Sequence, residues 1–221
     1  MNTIALWITE VTRMSEDRIC IAGVDDSCRV YRPIRRDFAW TRAQIERVGI
    51  EVGSHAEFLL TCEVNNDDFP HSTENCLVRS SIRRIGGVSR EALAVRLARA
   101  ASPSITQAFG GYARGGNRWV EPGTTGPSLG AIVVARSAVT LCLDAKGRPR
   151  LRVPDCAGSL PITDLWLRDR VERAGAGAVS SFLDSRQRLY IRLGLAHPWA
   201  PEGSGEPERC WIQVNAITPI P

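Results

Sequence analysis

Three groups of residues in this chain carry side chains suited to a polyanion. The first is Arg29, Tyr31, Arg32, Arg35, Arg36, Phe38 and Trp40. The second is Tyr112, Arg114, Arg118 and Trp119, set among Gly110, Gly111, Gly115 and Gly116. The third is Arg148, Arg150 and Arg152, with Trp166, Arg168 and Arg170 a short way on. Arginine forks grip phosphates bidentately and aromatic faces stack on bases, so cations interleaved with aromatics fit nucleic-acid binding. Arg150 and Arg152 stand two apart and share one face of a strand. Each group has a plainer alternative. The first also fits a solvated strand end with Trp40 in the core. The third also fits ion pairing with Asp155, Asp164 or Asp169. Trp7 and Trp211 lie within apolar runs and are expected in the core.

Other chemistries find less support. No GxxxxGK[ST] loop is present, and the glycines at 110–116 lack GxGxxG spacing and a preceding strand. Ser128, Thr163 or a cysteine is available as a nucleophile, with His71 or His197 as base, but no GxSxG elbow presents one. Thr163-Asp164 reads instead as a helix cap. A metal site can be drawn from His71, Cys76, Asp67 and Asp68, yet nothing matches a known ligand spacing. Otherwise His71 anchors its loop by hydrogen bonds. The expectation is a non-catalytic protein with no cofactor and no metal.

Composition sets the bounds. The 221 residues allow one large domain or two small ones. Lys and Arg number 28 against 24 Asp and Glu, a net +4 that does not by itself signal nucleic acid. Lys146 is the only lysine, so nearly all the positive charge sits on guanidinium groups. A GC-rich genome and a functional demand for arginine both fit that skew. The seven cysteines are scattered without CxxC spacing and read as small core hydrophobes. With no leader pattern and no long apolar run, a cytoplasmic chain without membrane contact is expected.

The elements that must position these residues are mostly strands. Residues 3–11, 18–24 and 28–34 predict a β-meander with turns at 14–17 and 25–27. Thr41 is placed to cap a short helix ending at Val48 before Gly49. A strand is expected over 55–64, a loop over 65–71, and an amphipathic helix from Ser89 that Pro103 ends. In the second half, strands are expected at 129–135, 139–143, 148–153, 189–195 and 210–214, with a hairpin turn at 144–147. Residues 159–173 read as extended and then helical, broken by Ala174-Gly175-Ala176-Gly177. Residues 198–208 read as a flexible loop. The fold class is therefore mainly β with a few helices. An N-terminal unit (1–109) with a helical insert and a C-terminal unit (128–221) flank a glycine-rich loop or linker (110–127).

Short motifs carry a family resemblance. Thr9-Glu10-Val11-Thr12-Arg13-Met14, Cys20-Ile21-Ala22-Gly23 and Tyr31-Arg32-Pro33 open it. Pro70-His71-Ser72-Thr73-Glu74, Ser128-Leu129-Gly130, Thr163-Asp164-Leu165, Arg192-Leu193-Gly194-Leu195-Ala196-His197-Pro198 and Cys210-Trp211-Ile212-Gln213-Val214 follow in order. Together they resemble the dual OB domain family of bacterial proteins over nearly the whole chain. The resemblance implies two tandem OB-like β-barrel domains, nucleic-acid recognition and association with bacterial defence or conflict systems, with no catalytic set. In that pattern position 197 is often arginine; here it is His197, which weakens any phosphate contact placed there.

The expected function is a non-catalytic module that binds single-stranded DNA or RNA, or otherwise exposed nucleic acid, with other subunits of a defence complex as further partners. The alternatives are a protein-interaction or scaffold subunit, and a nucleotide or modified-base sensor with the glycine-rich loop as lid.

Overall fold

The structure, a computed structural model, describes residues 2–15, 17–35, 39–61, 69–203 and 205–221. Arg36, Phe38, Cys62, most of the 65–71 loop with Asp67 and Asp68, and part of the 14–17 turn lie outside the described residues. The chain is mainly β and forms two barrel-like units. The first comprises β1 (Thr3–Ser15), β2 (Arg18–Val24), β3 (Val30–Ile34), the two-residue β4 (Trp40–Thr41), α1 (Arg42–Val48), β5 (Ser54–Leu60) and β6 (Asn75–Gly87). The order β1-β5-β6-β3-β2, closed by pairing of β2 back onto β1, makes a five-stranded barrel. The long β1 serves both neighbours: residues 3–7 pair with β5, and residues 7–15 with β2. Pairing is antiparallel throughout except β3 with β6.

Local chemistry explains these elements. Asp25 accepts from the amides of Ser27 and Arg29, which closes the turn before β3. Cys28 takes a positive φ in that turn, so β3 starts at Val30 rather than at residue 28. Thr41 and Gln44 form a reciprocal capping box on α1, and Gly49 ends it in the left-handed conformation. Leu6, Ile8, Ile21, Trp40, Ala56 and Phe58 fill the barrel.

The second unit contains β8 (Leu129–Ala135), β9 (Thr140–Leu143), β10 (Pro149–Arg152), β11 (Leu160–Pro161), α4 (Leu165–Leu183), β12 (Arg188–Leu195) and β13 (Cys210–Ile220). Before it come α2 (Arg90–Leu97), α3 (Ile105–Ala108) and β7 (Trp119–Val120). It follows the same circuit as the first barrel. β8 pairs with β12, a short 3₁₀ turn intervenes, and β9 then pairs with β10, so β8 and β9 together do what β1 does. β10 pairs with β11, and a parallel bridge from Ile162 to Val214 joins that edge to β13. The helix in each unit enters at the same point, before the fourth strand. This 1-2-3-5-4-1 Greek-key order is that of the OB-like barrel. The second unit is the more open, held on one side by that single bridge.

Three expectations change. Residues 110–127 are not bare linker, since Ala113 and Val120 pack in the second core and β7 pairs with β13; Ile105, Ala108 and Phe109, expected in the N-terminal unit, join that same core. Gly175 kinks α4 with φ 76° and ψ 170°, but the helix resumes because Val179 and Leu183 are buried. β6 was not foreseen, since most of its side chains are exposed and polar.

The barrels share a seam. Its apolar side is α2, whose Leu93, Ala94 and Leu97 pack with Val24 of the first barrel and Ala131, Tyr190 and Ile220 of the second. Its polar side is ionic. Glu10 of β1 lies 3.6 Å from Arg192 of β12, both fully enclosed. Glu74 accepts from the Ser128 amide (2.9 Å) and hydroxyl (2.6 Å), while Arg32 donates to that hydroxyl and to Asn75. Arg90 clasps Asp164, and Arg42 clasps Asp169. Buried charges persist only with such partners.

Burial pushes the Glu10 carboxyl above its ordinary value, against the pull of Arg192 and Arg32. Between the ordinary and the raised value the folded chain binds more protons than the unfolded one, so this group's contribution to stability falls as pH rises through that window. Urea midpoints measured from about pH 4 to about pH 8 are expected to show that fall, at most about 1.4 kcal/mol per pH unit for one group. Glu10→Gln is expected to flatten it. An unchanged pH profile in the variant counts against the raised carboxyl.

Candidate nucleic-acid interface

The two barrels put the same loops to the same use. The turn between their first and second strands covers residues 16–17 in one and 144–148 in the other. The loop between their fourth and fifth strands covers 61–74 in one and 196–209 in the other. Both long loops and the 144–148 turn contribute to a single cleft of about 640 Å³, which the end of β1 borders. Met14 and Ser15 border the first turn, and Asp144 and Arg148 belong to the second. His71 comes from one long loop, and His197, Pro198 and Trp199 from the other. The two imidazoles stack at 4.4 Å, 10° from parallel, so the long loops touch. His71 Nε2 lies 3.1 Å from the Leu195 carbonyl, an anchoring role foreseen for it.

Among the described residues the lining is strongly cationic: Arg13, Arg32, Arg148, Arg150 and Arg168 against Asp144 as the one acid. These arginines differ in how firmly they are held. Arg32 is buried and committed to Ser128 and Asn75. Arg150 donates to the hydroxyl and carbonyl of Ser159. Arg148 pairs with Asp144 at 2.7 Å, and Arg13 with Glu172 at 2.7 Å, both at the exposed rim. Arg168, on the first turn of α4, differs from all of them. Among the described residues its buried Nε has no hydrogen-bond partner. Burial, then the positive charge of Arg13 and of Arg148, hold its guanidinium below the ordinary arginine value. Like charges crowded this way favour an incoming anion.

From the cleft an aromatic ladder leads along β13. Trp199 is 47% exposed. Its ring lies 5.9 Å from Trp211, which lies 5.5 Å from Trp119. Arg209 covers Trp119 at 4.0 Å, and Arg118 covers Trp211 at 5.3 Å. Trp211, expected in the core, is therefore a half-exposed rung. The glycines beneath are needed for contact: Gly115 has φ +58°, and a Cβ there would fall 1.7 Å from the Trp119 ring. Asn117 donates to the Asp155 carbonyl, and Ala157 to that of Gly116, both at 2.7 Å. These bonds fasten the loop to residues 155–157.

The three expected groups fare unequally. From the third, Arg148, Arg150 and Arg168 meet in the cleft; Arg152 is exposed on β10 outside it, and Arg170 stacks on Trp166. Of the three acids proposed to neutralise this group, Asp164 pairs with Arg90, and Asp169 pairs with Arg42 while also acting on Arg168 through space; Asp155 accepts from Asn117 through its backbone carbonyl. From the second, Arg118 and Trp119 join the ladder, while Arg114 ties down its own turn through the Gly111 and Ala113 carbonyls. Among its described residues the first group does not form one surface, and only Arg32 reaches the cleft. Trp40 is 1% exposed and donates to the Pro33 carbonyl, Arg35 packs over its ring, and Arg29 stacks on Tyr31. Trp40 is corrected from contact to core, because its ring fills the first barrel.

The motif residues gather mainly at the seam and cleft. Thr9, Glu10, Glu74 and Arg192 are buried there. Arg13, His71, Thr163 and His197 line the cleft. Thr73 bonds the Gly126 carbonyl, and Asp164 caps α4 through the Leu167 amide. Trp199 and Arg209 were not foreseen; a lone tryptophan in a Pro/Gly/Glu-rich loop was the available signal. Among the described residues no group of three or more His, Cys, Asp or Glu is placed to hold a metal, and no helix is long and apolar enough to cross a membrane. Comparison with protein-family models, curated proteins and solved structures gave no match to this chain.

Arg168 is held at a cost, so removing its charge relieves the fold. Arg168→Met is expected to leave the urea midpoint unchanged or raise it, since the stem's packing is kept. A loss greater than about 1 kcal/mol would mark Arg168 as structural.

Proposed function

We propose that this protein is a non-catalytic nucleic-acid-binding module that takes a single or exposed strand into the cleft between its barrels. The observation that carries this reading is the meeting, among the described residues, of five arginines and one acid beside the long loops of both barrels and the 144–148 turn. OB-like barrels bind oligonucleotides with those loops and the adjoining sheet face. That step is analogy from fold; the cations and aromatics at the same place are the independent support. In this reading Arg148, Arg150 and Arg168 neutralise phosphates, and Trp199 offers a face to a base at the mouth. Arg118 and Arg209 carry the positive field onward beside Trp119 and Trp211. The family resemblance adds the proposal that the protein serves a bacterial defence system.

Fluorescence anisotropy with labelled single strands across a salt series tests the reading. Each phosphate neutralised on a single strand contributes about −0.7 to the slope of log K against log salt. Engagement of three arginines thus gives a slope near about −2. Replacing Arg150 and Arg168 by alanine is expected to flatten it by about 1.4. Trp199→Ala is expected to weaken binding by about 1–3 kcal/mol, the range for one stacked base, with the slope unchanged. Salt-independent affinity, or none at low salt, defeats the proposal.

A further inference from the structure

Resting on the strand-binding reading, we infer that Arg13, Arg148 and Arg168 form a site for a phosphomonoester, the terminal phosphate of a strand in preference to an internal phosphodiester. Three features on the page lead there. First, the three guanidinium groups come from different elements, β1, the 144–148 turn and α4, and converge on one cleft. Convergence from three directions suits a group with three free oxygens better than a diester with two. Second, the charge does not balance. Asp144 and Glu172 partner Arg148 and Arg13 at the rim, while Arg168 keeps a buried Nε without a partner among the described residues. A terminal phosphate brings about −1.5 to −2 charges at pH 7, against −1 for a diester. The more highly charged group compensates the crowded arginines more fully. Third, the cleft is small. At about 640 Å³ it falls among pockets of about 300–1,000 Å³ that enclose a small ligand. A strand tracked along an OB-like unit occupies about 4–16 nucleotides. A cleft of this size takes the end of a strand, and the tryptophan ladder at its mouth gives the following nucleotides a surface.

The same chemistry is offered by a free nucleoside monophosphate, so the experiment separates the sources. Competition anisotropy would compare one sequence carrying a 5′-phosphate, a 3′-phosphate or hydroxyls at both ends, with a nucleoside monophosphate as a fourth competitor. One phosphorylated end is expected to bind at least about tenfold more tightly than the hydroxyl-ended strand. That ratio is expected to collapse toward one in Arg168→Gln and in Arg13→Gln. It is also expected to shrink as pH falls through the second phosphate ionisation near about 6. His71 and His197 also line the cleft, so the pH dependence of the ratio is compared between the wild type and the two arginine variants. Equal binding of all three strands overturns the inference and leaves the strand reading standing. If no strand binds, a rise in melting temperature with the nucleoside monophosphate alone overturns the strand reading and keeps the phosphomonoester site. A preference that survives both arginine substitutions overturns the assignment of these residues.

Discussion

A three-residue stretch, Ile162 to Asp164, holds the two barrels in one arrangement. The Arg13 amide donates to the Thr163 carbonyl at 2.9 Å, and the Thr163 amide donates to Val214 at 2.8 Å. The stretch is thus a strand shared between β1 of one barrel and β13 of the other. Asp164 finishes it by capping α4, accepting from the Ile217 amide and clasping Arg90. Backbone bonds of this kind fix position along the chain to within a residue, because any slip leaves buried amides unpaired. Arg13 and Arg168 reach the cleft from opposite sides of this stretch. Their spacing, and so the field inside the cleft, is set by it.

The buried ions beside that stretch have a different task. Burying a charge pair is seldom a net gain over packing apolar groups. What the Glu74–Ser128–Arg32 chain provides is direction. Ser128 donates to the carboxylate and accepts from the guanidinium, so only one relative placement of the barrels satisfies all three groups. Glu10 and Arg192 add a second buried charge pair across the seam, 3.6 Å apart. An apolar seam would tolerate sliding, and α2 alone supplies such a seam. The polar half turns adhesion into registration, which loops of both barrels meeting at one cleft require.

Much of the fold was legible in the residues. The Thr41–Gln44–Gly49 pattern marked α1 because caps are local chemistry. The alternation of Arg150, Leu151, Arg152 and Val153 marked a half-buried strand in the same way. β6 was not legible: Arg79, Ser80, Ser81, Arg83 and Arg84 show no buried face, and its pairing comes from β5, distant in sequence. The site was half legible. Type and spacing identified Arg148, Arg150 and Arg168, since clustered cations near aromatics need no fold to be noticed. Arg13 and Trp199 stand alone among unlike neighbours, and only the two-barrel packing brings them to that cluster. Tyr31, Arg35 and Trp40 made an equally good pattern, but the ring of Trp40 was worth more inside the barrel than on its surface.

The arginine skew takes on a narrower meaning in this geometry. Arg32, Arg42 and Arg90 serve the seam, where a planar fork meets two acceptors at once, and Arg192 pairs there with Glu10. Arg118 and Arg209 lie over indole rings, a packing that a weakly hydrated plane makes and a lysine ammonium makes poorly. Arg13, Arg148, Arg150 and Arg168 face the cleft. One residue type thus meets three different demands, so a genome-wide bias toward arginine and a functional use of it are not competing explanations. They part company at Arg168. A seam arginine is stabilised by its acceptors and a ladder arginine by its ring. Arg168 keeps its charge under burial and beside two other cations, with Glu172 and Asp169 acting on it through space and no hydrogen-bond partner for its buried Nε among the described residues. Codon bias accounts for an arginine at a solvated position. It does not account for one in a half-buried position where an uncharged side chain would cost the fold less, and an anion in the cleft does.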